Sequence, residues 1–119
     1  MKDINKIIEE YKNYAVLHWK ASREGDYKTA NKNYAKLTKI YNQLLDSEEL
    51  REKILLHLLN DENYTVQLWA AAHSLALGKF KEDAVSKLEF ISKLSSNEAP
   101  SFEAKMTLQE WSEKGILTF

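Results

Sequence analysis

The 119-residue sequence predicts an all-α protein of six helices, paired as three antiparallel hairpins. Three observations carry that prediction. Apolar residues recur at three- and four-residue steps along most of the chain, the spacing of a helix with one buried side. The three glycines and the single proline all fall where that spacing breaks. No stretch alternates apolar and polar residues as a half-buried strand would.

The first helix is expected over residues 3–22, where Ile4, Ile7, Ile8, Tyr11, Ala15 and His18 form the stripe and Tyr14, Leu17 and Ala21 widen it. Gly25 and Asp26 interrupt it, the glycine for a left-handed turn and the aspartate to accept from the free N–H groups of the next helix. The second helix, 27–45, has the cleanest period: Tyr27, Ala30, Tyr34, Leu37, Tyr41, Leu44. So short a connection makes the first two helices a hairpin. In the third, Asp46 followed by Glu49 fits a capping box, and Leu50, Ile54, Leu55, Leu58 and Leu59 supply the buried side.

The fourth helix, within 61–78, organises the rest. Val66, Leu68, Trp69, Ala70, Ala71, Ala72, Leu75, Ala76 and Leu77 point in nearly every direction around it. A helix apolar all round is one enclosed by protein, and this one is too short to span a bilayer. Gly78 suits its left-handed C-terminus. The fifth helix, 81–94, buries Ala84, Val85, Leu88, Ile91 and Leu94. The sixth starts at Pro100, where a first helical turn tolerates proline, and stops at Gly115. The hairpins divide the chain at about 3–45, 46–78 and 79–115, within a single domain over 1–119.

Composition excludes several classes of function. The chain has no cysteine, hence no disulfide, thiolate nucleophile or sulfur-ligated zinc, which suits a reducing cytoplasm. The charged opening, MKDINKIIEEYK, does not read as a secretory leader, and no stretch approaches the roughly 20 apolar residues of a membrane span. No His-Glu-x-x-His string, Gly-x-Ser-x-Gly elbow or glycine-rich phosphate loop is present. His18, His57 and His73 lie on separate helices, and none has a histidine four residues on. The expectation is no catalytic residue, no metal and no cofactor. Net charge is −1, but residues 1–45 carry +4 and residues 46–119 carry −5, an asymmetry able to orient a partner or a second copy.

Helices three and four look like helices five and six displaced by 33 residues, with Trp69 over Phe102, Ala71 over Ala104 and Leu75 over Leu108. A repeat of that length marks an α-solenoid. DENYTVQLWAAAHSLAL, through Asp61, Val66, Ala70, Ala71 and Leu75, resembles a HEAT-type repeat. The first hairpin looks like a tetratricopeptide unit, with Gly25, Asp26, Tyr27, Ala30, Tyr34 and Leu37 at its second-helix spacing and departures at His18 and Asn42. Taken whole, the chain resembles a family of small bacterial HEAT-like proteins without an assigned function. That resemblance implies a HEAT-like α-α superhelix and, by analogy, an immunity-type inhibitor of a secreted toxin.

The expected function is therefore non-enzymatic binding of another protein or peptide, on the face lined by the second helices. Trp69, His73 and Gln67 would border one patch, and Trp19, Lys20 and Arg23 a second, since tryptophan and arginine dominate interface energetics. The alternative is nucleic-acid binding along Lys28, Lys32, Lys36 and Lys39, a ridge about 16 Å long at 1.5 Å per residue. The tyrosines of that helix are expected on its buried stripe, unable to interleave with the lysines.

Overall fold

The computed structural model describes residues 3–95, 99–115 and 117. It contains α1 (Ile4–Arg23), α2 (Tyr27–Asp46), α3 (Glu48–Leu59), α4 (Tyr64–Leu77), α5 (Lys81–Ser92) and α6 (Ser101–Lys114), and no strand among the described residues. The chain forms two compact units, Met1–Leu58 and Leu59–Phe119.

In the first unit α1 packs along α2. Asp3 caps α1 by accepting from the Lys6 N–H (3.2 Å), and Asp26 caps α2 by accepting from Thr29 (3.1 Å). Between them Gly25 takes φ 73°, the left-handed value that makes so tight a reversal possible. The buried sides are Ile8, Tyr11 and Ala15 on α1 and Leu37, Ile40 and Leu44 on α2. Burial pushes the Tyr11 phenol well above its ordinary pKa. One expectation is corrected here: Asp46 does not cap α3 but ends α2. Ser47 is the residue that accepts, from the Leu50 N–H at 3.3 Å. The two helices are thus separated by one residue, and Arg51 spans the break. Its guanidinium donates to the free carbonyls of Leu44 (3.1 Å) and Leu45 (3.2 Å), which a helix end leaves without partners.

In the second unit α5 packs against both α4 and α6. Asn63 caps α4 through both the Thr65 and Val66 N–H groups, and Gly78, at φ 70°, ends it with left-handed backbone as expected. Every residue from Thr65 to Leu75 is buried. Ala84, Leu88 and Ile91 form the buried side of α5, and Ala104 is buried on α6. Phe80 is the only described non-glycine residue with positive φ (52°), just ahead of α5.

A single displacement of 33 residues does not align both pairs of helices. α3 and α5 have 12 residues each and start 33 apart, whereas α4 and α6 have 14 each and start 37 apart. Matching the left-handed glycines Gly78 and Gly115 puts Trp69 over Met106 and Thr65 over Phe102. The apolar match made from sequence is one turn out, because residues four apart share a helix face.

Candidate functional site

Trp69, His73 and Gln67 do not form a surface patch. Trp69 is 9% exposed and His73 0%, and Gln67 is buried with them. The Gln67 amide donates to the Asp61 carbonyl, so the polar interruption in this helix finds its partner in the backbone of its own entry turn. The indole of Trp69 stands 5.6 Å from the His73 ring, tilted at 56°. Desolvation holds the His73 imidazole neutral, its pKa lowered to about 3. This corrects the expectation that Trp69 anchors a groove: the indole belongs to the core.

A tryptophan that does reach the surface stands on α1. Trp19 is half-buried, and the Arg23 guanidinium lies 5.5 Å from its ring centre, in the range of a cation–π contact. Residues four apart on a helix are neighbours, which is why Trp19 and Arg23 meet. Lys20, Arg23 and Glu24 join Trp19 around a surface pocket of about 350 Å³. Val16, one turn earlier and 41% exposed, extends the apolar side of this surface. Sequence reasoning brought Trp19, Lys20 and Arg23 together and missed Val16 and Glu24. The signal for Val16 was available, since it sits three residues before Trp19 and off the buried stripe.

Lys28, Lys32, Lys36 and Lys39 are all exposed along one side of α2. The Lys36 ammonium lies 5.2 Å from the Tyr14 ring centre. The expectation for the tyrosines needs correction: Tyr41 is buried, but Tyr27 and Tyr34 are exposed. At roughly 100° per residue they stand on the other flank of the buried stripe from the lysines. They are open to solvent, yet they do not interleave with the cations. Tyr34 instead lies 6.3 Å from the His18 ring, and partial burial lowers the His18 pKa.

Among the described residues, no group of three or more His, Asp or Glu side chains is placed to hold a metal ion. No described helix is long and apolar enough to cross a membrane. No protein family, curated protein or solved structure matches the chain.

Proposed function

We propose that this chain is a non-enzymatic protein-binding module whose docking point is the Trp19 pocket on α1. The observation that carries the reading is a half-buried indole with a guanidinium over its ring and a second cation beside it. Such a group offers a partner a large apolar surface and charged hydrogen-bond donors at one point, the combination on which interface energy concentrates. With Trp69 and His73 buried, this reading takes the docking face to lie on α1 rather than on the second helices. HEAT-like stacking of helical pairs is the arrangement this reading draws on, with the equal lengths of α3 and α5 and of α4 and α6 as its support. An immunity-type inhibitor acting in the cytoplasm is its sharpest form.

The test is recovery of a partner from the native host by cross-linking, followed by titration against Trp19→Ala and Trp19→Phe. Trp19→Ala should weaken binding by about 2 kcal/mol or more, with the phenylalanine variant in between. The side chain is partly exposed, so helical circular dichroism should stay unchanged. A partner held equally well by Trp19→Ala removes the pocket from the reading.

A second reading, nucleic-acid binding, is favoured by one observation, the exposure of all four ridge lysines. Tyr14, the ring beside Lys36, is half-buried, so the ridge supplies chiefly phosphate contacts, whose affinity falls with salt at about −0.9 in log–log slope per phosphate. The expected result with duplex and single-stranded probes is binding that is weak, non-specific and lost by roughly 200 mM salt. Specific submicromolar binding abolished by Lys32→Glu with Lys36→Glu would replace the protein-binding reading.

A further inference from the structure

The two helices of the first hairpin end with their cations used differently. At the end of α2 the Arg51 guanidinium donates to the Leu44 and Leu45 carbonyls. At the end of α1 the turn itself supplies the donors, since the N–H groups of Glu24, Gly25 and Asp26 bond the carbonyls of Lys20, Ser22 and Ala21. Lys20 and Arg23, both in that last turn and both exposed, are left out of the capping. Their side chains form no hydrogen bond or ion pair among the described residues. The contact of Arg23 with the Trp19 ring uses none of the guanidinium's N–H donors.

A guanidinium placed against an aromatic ring with its donors free is a fork for a planar carboxylate, which it binds through two parallel N–H···O bonds. Lys20 adds a second positive charge to the pocket, against the single carboxylate of Glu24. The Asp26 carboxylate in the turn is already engaged, accepting from the Thr29 N–H. Val16 and Arg23 lie two helical turns apart on one side of α1, with Trp19 between them. Apolar surface is thus followed along the helix by positive charge. We propose, resting on the reading of the Trp19 pocket as a docking point, that its occupant is an acidic peptide segment. An apolar side chain of that segment lies on Trp19 and Val16, and a carboxylate is held by Arg23 and Lys20. Trp19 and Arg23 are about 6 Å apart along the axis at 1.5 Å per residue, the length of about two residues of extended peptide. The segment therefore carries its acid about two positions from its apolar residue.

Selection of a displayed random-peptide library on the intact chain tests this, with Trp19→Ala as the counter-selection. Enriched peptides should place Asp or Glu about two residues from a large apolar side chain. One such peptide, labelled with fluorescein, is then titrated by anisotropy. Arg23→Gln should raise its dissociation constant about tenfold or more, and changing the peptide's acid to its amide should do the same. Both changes together should weaken binding little more than either alone, as a direct pair requires. Arg23→Lys keeps the charge without the fork and should fall between. Arg23 is exposed, so circular dichroism should not change in either variant. Peptides that need Trp19 but carry no acid, or losses that simply add, overturn the carboxylate assignment and leave the pocket standing as a docking point. Peptides indifferent to Trp19→Ala, or no enriched peptide at all, also overturn it, while the cross-linked partner decides the pocket separately. Single-stranded DNA bound through Trp19 and Arg23 more tightly than any acidic peptide would replace the peptide, since a ring beside cations also suits a base and its phosphate.

Discussion

Trp69→Ala is expected to destabilise the fold by about 3–5 kcal/mol, the range for truncating a buried tryptophan. The indole is 9% exposed, in a helix whose residues Thr65 to Leu75 are all buried. A neighbourhood enclosed on every side has little room to collapse into the space left behind, so the cavity adds to the lost burial. Small domains have about 5–15 kcal/mol of stability in all, and this single change removes a large share of it. Urea unfolding followed by fluorescence and circular dichroism measures the loss. A change below about 1 kcal/mol would mean that the indole is loosely packed and free to serve a surface. Trp19→Ala provides the contrast, with a small effect on stability and its main effect on binding.

Helix number and most helix ends were legible because local chemistry determines them. Asp26, Gly25, Gly78 and Gly115 each do what their side chain, or lack of one, allows best, and they hold those places in the structure. Ser47 was missed because it stands beside Asp46 and both are good caps. The choice falls to the residue left over once α2 has run its full length. The burial of Trp69 was not legible for a related reason. In a helix apolar all round the pattern prefers no side, so an aromatic residue there reads equally as core or as groove. Gln67 deepened the ambiguity, since its partner is a carbonyl six residues earlier that no periodicity reveals. Tyr27 and Tyr34 stand at the edge of the α2 stripe, where a seven-residue spacing cannot distinguish a buried ring from one lying at the boundary. Phe102 and Met106 on α6 are exposed, which depends on the neighbours the helix has, and a repeat pattern implies neighbours on both sides.

Acid should weaken this protein before its carboxylates begin to titrate. His73 is fully buried, and desolvation lowers its pKa from 6.5 to about 3. In the unfolded chain the same imidazole takes a proton near pH 6.5. Between those two values the unfolded state binds one proton more than the folded state, so stability falls as pH falls. The slope from this group is negligible above about pH 7.5, half its full value near pH 6.5, and approaches about 1.4 kcal/mol per pH unit below that. From pH 6.5 to 5 the loss should be roughly 2 kcal/mol. His18 acts in the same direction, since partial burial lowers its pKa too. Asp26 and Glu49, whose pKa values are lowered by hydrogen bonds to Thr29 and Lys53, act only below that window, as the carboxylates protonate. Urea unfolding at half-unit steps from pH 5 to 8 should therefore be flat above about 7.5, bend through about 6.5 and fall steadily below it. His73→Gln removes the titrating group, whatever it does to stability at neutral pH, and should leave only the shallower slope of His18. An unaltered slope in that variant would show that the buried imidazole is not the acid-sensitive group. Trp69→Ala should also flatten the slope, because the His73 ring loses one of the groups that keep water from it. The core substitution and the acid response are thus two measurements of the same buried contact.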